Sequence, residues 1–185
     1  FTGTGGTGTA LSAGNTISSS QTIYVYAQTG TTPNCTDENS FTVTINTTPV
    51  ADAPANVTAC DSYTLPALTV GNYFTGAGGT GTALSAGNTI SSSQTIYVYA
   101  QTGTTPNCTD ENSFSVTINT SPIADAPANV TACDSYTLPA LTVGNYFTEA
   151  GGTGTALSAG NSITSSQTIY VFAQTGTTPN CTDEN

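Results

Sequence analysis

The strongest structural signal in the chain is the stretch Gln94-Thr95-Ile96-Tyr97-Val98-Tyr99-Ala100-Gln101. In an extended chain successive side chains point to opposite faces. Ile96, Val98 and Ala100 therefore share one face, while Tyr97 and Tyr99 share the other. This alternation predicts a β-strand with one buried face.

A second alternating run follows after a loop rich in Thr, Gly, Pro and Asn. The run 113–119 places Phe114, Val116 and Ile118 on one face. Two such runs joined by a turn-rich loop predict an antiparallel β-hairpin.

Further short runs with aromatic or β-branched residues lie upstream. They predict strands at Val57–Ala59, Ser62–Leu65, Asn72–Thr75 and Gly81–Leu84. No segment keeps a 3.6-residue apolar period, so no helix is predicted. Six or seven short strands predict an all-β fold, a compact β-sandwich of immunoglobulin-like type.

The whole pattern repeats when the chain is shifted by 73 residues, as Phe1 and Phe74 illustrate. At this shift 112 positions can be compared, and eight of them differ. The repeat predicts three segments: 1–49 as the C-terminal part of one repeat, 50–122 as a complete repeat, and 123–185 as a repeat lacking its last strand. Repetition multiplies length and valency, which favours tandem immunoglobulin-like repeats of a surface protein over an enzyme.

The amino-acid composition argues against several classes of binding partner and against catalysis. The chain has no Lys, Arg or His against 11 Asp and Glu, for a net charge of −11. Without cations it lacks the groups that bind nucleic acid or an anionic membrane surface. No stretch approaches the ~20 apolar residues of a membrane span, so no direct membrane insertion is predicted. The usual general bases and oxyanion-binding groups are also missing, which predicts no catalytic residue and no enzyme.

The five cysteines recur with the repeat: Cys35 returns as Cys108 and Cys181, and Cys60 returns as Cys133. Two pairings respect the repeat: Cys60–Cys108 with Cys133–Cys181, or Cys35–Cys60 with Cys108–Cys133. In a sandwich the first strand is expected to start at the end where the last hairpin turns. This expectation favours Cys60–Cys108 and Cys133–Cys181, with the partner of Cys35 outside the fragment. Two cysteines in a small acidic unit fit an oxidising, extracellular setting.

The only candidate metal site in the sequence is a set of carboxylate side chains. Asp110 and Glu111 follow the hairpin loop, and Asp52 and Asp125 lie in the segments that join the repeats. Carboxylates of this kind bind calcium in extracellular modules, where they stiffen junctions between domains. We therefore expect no other cofactor, with calcium as the candidate ion.

The repeat contains the pattern Val57-Thr58-Ala59-Cys60-Asp61-Ser62-Tyr63-Thr64-Leu65-Pro66, then Gly71-Asn72-Tyr73-Phe74-Thr75, then Gln94-Thr95-Ile96-Tyr97-Val98-Tyr99 before Cys108. This pattern resembles repeats in giant cell-surface proteins of Bacteroidota, which include the SprB-like mobile adhesins of gliding bacteria. The type IX secretion system exports those adhesins. The resemblance covers the whole repeat through loose motifs. It implies an outer-membrane-attached filament with a role in adhesion and gliding motility, and no binding residue carries over.

The predicted function is a structural and adhesive region of a long extracellular surface protein, acting as a disulfide-stapled stalk or filament. Its partners would be neighbouring repeats of the same chain, with surface glycans or other cells as adhesion targets. One alternative is a self-assembling extracellular fibre in which unfinished units complete one another by strand donation. Another is a carbohydrate-binding module that presents Tyr97 and Tyr99, or Tyr63, to sugar rings.

Overall fold

The computed structural model describes all residues, 1–185. The fold is all-β, with 41% of the chain in strands and no α-helix. The predicted fold class is confirmed. A 3-10 turn at Thr4–Gly6 precedes the first strand. No helix in the chain has the length and apolarity needed to cross a membrane.

Internal contacts divide the chain into two compact units. The first comprises 1–51 and 100–110, and the second comprises 52–99 and 111–185. These units differ from the sequence repeats, whose boundaries fall at 49/50 and 122/123. Two differences stand out: the tip of one hairpin, 100–110, groups with the preceding repeat, and the rest of the second repeat lies in one unit with the third.

The first unit contains a long antiparallel hairpin. Strands β1 (Gln21–Gln28) and β2 (Thr36–Val43) pair in continuous register from Gln21↔Val43 to Gln28↔Thr36. Two apolar side chains of this hairpin are exposed: Val25 is 60% exposed and Phe41 is 55% exposed.

The complete repeat carries seven strands: β3 (Val57–Cys60), β4 (Tyr63–Thr64), β5 (Asn72–Gly76), β6 (Thr80–Leu84), β7 (Thr89–Ile90), β8 (Gln94–Gln101) and β9 (Thr109–Asn119). Five of them form one sheet in the order β3-β9-β8-β5-β6, and β4 pairs with β7 separately. Strand β3 runs parallel to β9, from Val57↔Val116 to Cys60↔Asn119. This direction decides where the cysteine of β3 lies.

The predicted faces of the hairpin strands are confirmed. Ile96, Val98 and Ala100 of β8 are buried, as are Phe114 and Val116 of β9. Alternation along the strand places these side chains on one side of the sheet, which is the core side.

The third repeat carries β10 (Tyr136–Thr137), β11 (Asn145–Glu149), β12 (Thr153–Leu157), β13 (Ser162–Ile163), β14 (Tyr170–Gln174) and β15 (Thr182–Glu184). Four strands form a sheet in the order β12-β11-β14-β15, and β10 pairs with β13. The core lies between these two sheets. Leu138, Tyr146 and Val171 form one buried cluster. Tyr136 of β10 and Ile163 of β13 pack against it.

One segment of the third repeat differs from its counterpart. Residues 130–133 form no strand, although 57–60 of identical sequence form β3. In the second repeat β9 supplies the partner for β3. In the third repeat the corresponding strand, β15, covers Thr182–Glu184 and pairs with β14 alone, and Val130 is 52% exposed.

Candidate functional site at the junction between repeats

A disulfide joins the second repeat to the third. Cys60 is bonded to Cys181, with the two Cα atoms 5.5 Å apart, while Cys35, Cys108 and Cys133 are free thiols. The predicted pairing of Cys60 with Cys108 and of Cys133 with Cys181 is therefore wrong. The bond spans two repeats and does not close within one.

Strand direction explains the error. Because β3 runs parallel to β9, Cys60 lies beside Asn119, at the end of β9. Cys108 precedes the start of β9 at Thr109. The ten residue-to-residue steps from Thr109 to Asn119 separate the two ends of the strand by roughly 33 Å. Cys60 therefore meets the hairpin loop of the next repeat.

The loop that carries Cys181 is ordered by its own hydrogen bonds. The Gly176 N–H donates to Asn180 Oδ1 at 2.9 Å, and Asn180 Nδ2 donates to Gln174 Oε1 at 2.7 Å. The Cys181 N–H donates to Thr175 Oγ1 at 3.0 Å. Asn and Thr side chains bonded to nearby backbone in this way fix a turn without regular secondary structure. The cysteine is thereby held in one position before it meets its partner.

The same loop contacts the end of β9. Asn119 Nδ2 donates to Thr177 Oγ1 at 3.1 Å, and it also lies 3.5 Å from Pro179 O. Cys181 Sγ lies 3.8 Å from Asn119 O, and Cys181 is only 1% exposed. The Asn119 side chain therefore fixes the loop, and its backbone oxygen contacts the bonded sulfur.

The first unit contains the same contact between the first and second repeats. Asn46 Nδ2 donates to Pro106 O at 2.7 Å, and Cys108 Sγ–H donates to Asn46 O at 3.6 Å. Asn46, Pro106 and Cys108 each lie 73 residues before the residues that make the contact in the second unit. The contact between the Asn side chain and the loop of the following repeat thus occurs twice in the chain.

The segment between the second and third repeats is anchored at both ends. Ser121 is bonded through its N–H and its hydroxyl to the two carboxylate oxygens of Asp61, at 2.8 and 2.7 Å. Three residues later, the Ala124 N–H donates to Asp183 Oδ2 at 2.9 Å. In the first unit the Ala51 N–H donates to Asp110 Oδ2 at 2.8 Å in the same manner. The connecting segment is therefore bound to both repeats that it joins.

The four residues predicted to bind calcium each accept backbone hydrogen bonds. Asp52 accepts from the N–H groups of Thr69 and Val70, and Asp125 accepts from those of Thr142 and Val143. Asp110 accepts from Ala51, and Glu111 from Gly78. No group of three or more Asp, Glu, His or Cys side chains is placed to hold a metal ion. Calcium binding stays a prediction, to be checked by adding calcium to EDTA-treated protein and measuring Tm.

The tyrosines predicted as a sugar-binding face are half-buried. The Tyr99 ring packs edge-on against Phe74, with 6.2 Å between ring centroids, and lies over Gly79. The third repeat has Phe172 in place of Tyr99 and repeats the contact with Phe147 at 6.1 Å. The hydroxyl of Tyr99 is thus dispensable for this packing. Glycan binding stays a prediction.

Sequence reasoning missed Asn119, Asp61, Ser121 and Thr177. Each recurs, or nearly recurs, at the shift of 73 residues, but so does almost every other residue of the chain. Recurrence therefore gives no signal that separates junction residues from the rest. Only the strand direction brings these four together.

Comparison with known proteins gave no matching family model, no matching curated protein and no matching solved structure.

Proposed function

We propose that the chain is a structural and adhesive stalk segment of a long extracellular surface protein, in which successive repeats are locked to one another. The observation that carries this proposal is the Cys60–Cys181 bond, which joins two repeats and not two strands of one repeat. A stalk must transmit load from repeat to repeat. A covalent bond across the junction does this without relying on a small non-covalent interface.

Two further features support an extracellular stalk: the disulfide bears on its location, and the net charge bears on its solubility. The disulfide requires an oxidising compartment to form and persist. The net charge of −11 arises without any cationic side chain, so copies of the chain repel one another and stay soluble. The resemblance to Bacteroidota surface repeats supports attachment to an outer membrane after type IX secretion, and a role in adhesion or gliding motility.

Stretching single molecules between their two ends tests the stalk role. The disulfide connects positions 121 residues apart, so an oxidised chain cannot extend through that segment. Reduction should lengthen the fully unfolded chain by about 400 Å, at roughly 3.3 Å per residue. A chain carrying Cys60→Ser should show the longer length without reductant. Equal lengths with and without reductant in the unaltered chain would show that the junction bears no load through this bond.

A second candidate function is a self-assembling fibre completed by strand donation, and one observation favours it. The third repeat has a groove of about 700 Å³ whose lining includes Leu138, Tyr146 and Val171. In the second repeat, the counterpart of Tyr146 is Tyr73, which packs against Phe114 of β9 with 6.2 Å between ring centroids. A strand from another molecule would supply the same contact.

Strand β2 is the matching donor, because its Phe41 is the exposed counterpart of Phe114. Size measurement over a range of concentrations distinguishes the two functions. Polymers that grow with concentration, and that Phe41→Ser abolishes, support the fibre. The control is Val50→Ser, which also removes an exposed apolar side chain. A monomer at all concentrations supports the stalk.

A further inference from the structure

Two of the free cysteines occupy the positions of the bonded pair, one repeat away. Cys108 is the counterpart of Cys181, and Cys133 is the counterpart of Cys60. We use the term clasp for the disulfide between a first-strand cysteine, such as Cys60, and the loop cysteine of the following repeat, such as Cys181.

The loop half of the clasp is already formed around Cys108. The Gly103 N–H donates to Asn107 Oδ1 at 3.0 Å, and the Cys108 N–H donates to Thr102 Oγ1 at 3.1 Å, as their counterparts do around Cys181. Cys108 Sγ lies 3.6 Å from Asn46 O, close to the 3.8 Å between Cys181 Sγ and Asn119 O. The thiol is therefore held where its counterpart forms a disulfide.

Around Cys133 the turn that follows the cysteine is formed as it is after Cys60, although 130–133 form no strand. Asp134, the next residue, has φ 63°, and Asp61 next to Cys60 has φ 60°. The Ser135 N–H donates to Cys133 O at 2.6 Å, and the Ser62 N–H donates to Cys60 O at the same distance. The turn after Cys133, which is free and exposed, thus has the same form as the turn after the bonded Cys60.

We propose that Cys108 and Cys133 are preset halves of the same clasp and that the partner of each is another copy of this 73-residue repeat. Cys133 takes the loop cysteine of a following repeat, and Cys108 takes the first-strand cysteine of a preceding one. Each clasp forms when two thiols lose their protons, one S–S bond closes, and the two electrons reduce a small-molecule disulfide such as oxidised glutathione to two thiols. The inference rests on the junction geometry and does not depend on the stalk function.

The proposal predicts that clasps overlap along an array. Cys133 lies between Cys60 and Cys181 in the chain, so the covalent loop of one clasp encloses the start of the next. Successive repeats are then joined by covalent loops that overlap in sequence. Reducing one clasp leaves the neighbouring clasps intact. Disulfides confined within single repeats would not join one repeat to the next.

The test is an extended chain in which a second copy of residues 113–185 follows Asn185. The protein is refolded with reduced and oxidised glutathione, and free thiols are counted after denaturation without reductant. The unextended chain has three free thiols. The extended chain should again have three, although it contains two additional cysteines, because Cys133 and the added loop cysteine form a clasp. A count of five would overturn the proposal.

A matched variant separates the clasp from a bond within the added repeat. In the extended chain, Cys133→Ser should raise the count to four, because the added loop cysteine loses its partner. A count of two would mean that the added cysteines bond to each other, and would also overturn the proposal. Cys35→Ser is the control, and it should lower the count of the extended chain by one.

Discussion

Asp61 binds Ser121 with both oxygens of its carboxylate, across 60 residues of sequence. The Asp61 N–H also donates to Asn119 O at 2.8 Å. The turn after β3 is thereby joined to the end of β9 and to the segment that leads into the next repeat. Because the Ser121 N–H and then its hydroxyl donate to the charged carboxylate, they lower the pKa of Asp61 below its usual value.

This relationship predicts a pH dependence. A carboxyl group with a lowered pKa in the folded state stabilises the fold above its unfolded pKa, and the contribution is lost as pH falls through the folded pKa. Asp61→Asn should therefore lower Tm at neutral pH. The difference from the unaltered chain should shrink below about pH 3.9, the ordinary pKa of Asp. Circular dichroism melting curves between pH 7 and pH 2 measure both effects.

Asp134→Asn is the matched control, since Asp134 also has a positive φ but makes no hydrogen bond to a serine. Asn tolerates this backbone conformation, so neither substitution strains the turn. The control should leave Tm nearly unchanged at neutral pH. Equal effects of the two substitutions would mean that the Ser121 bonds do not stabilise the junction.

Removing the disulfide should destabilise the second unit. Cys60→Ser should lower the free energy of unfolding by about 2–5 kcal/mol, as expected for loss of a native disulfide. Cys133→Ser should change it by less than about 0.5 kcal/mol, because Cys133 is exposed and unbonded. Urea unfolding followed by circular dichroism gives both values. Reductant should bring the unaltered chain to the stability of Cys60→Ser and leave that variant unchanged.

A count of free thiols in the unaltered, denatured chain separates the two pairing schemes. The Cys60–Cys181 bond leaves three free thiols. The pairing Cys60–Cys108 with Cys133–Cys181 would leave one. We expect three, rising to four in Cys60→Ser because Cys181 loses its partner. Trypsin mapping is unsuitable because the chain has no Lys or Arg, so thiol labelling is the practical measurement.

The strands were predictable because their signal is local. Alternation along 94–101 predicted the bounds of β8, and the run 113–119 predicted the C-terminal part of β9. Strand β7 (Thr89–Ile90) was missed. The positions and faces of the longer strands follow from local sequence alone.

The disulfide was not predictable in the same way. Its position depends on whether β3 pairs parallel or antiparallel with β9, and the sequence 57–60 is compatible with both directions. The two cysteines lie 121 residues apart, and near-identical repeats make every pairing that follows the repeat equally regular. Long-range pairing of strands, rather than local preference, determines which cysteines meet.

The turn between β5 and β6 provides a final test of the packing. Gly78 and Gly79 have φ of +69° and +68°, a left-handed conformation that costs a non-glycine residue about 1–2 kcal/mol. A Cβ on Gly78 would meet nothing within 4 Å, whereas one on Gly79 would lie 2.7 Å from Tyr99 Cδ1. Gly78→Ala should therefore cost only the backbone strain. Gly79→Ala should cost about 1–3 kcal/mol more, because the Tyr99 ring must leave its contact with Phe74.

Urea unfolding of the two glycine variants measures the difference directly, and Tyr99→Phe supplies the control. The third repeat has Phe172 at the position of Tyr99, and a Cβ on Gly152 there would lie 2.5 Å from the Phe172 ring. Tyr99→Phe should therefore leave the stability within about 0.5 kcal/mol of the unaltered chain. It should not relieve the cost of Gly79→Ala, because the ring and not the hydroxyl occupies the space above the glycine. Equal costs for Gly78→Ala and Gly79→Ala would show that the ring moves freely and that this face of the sheet is not closely packed.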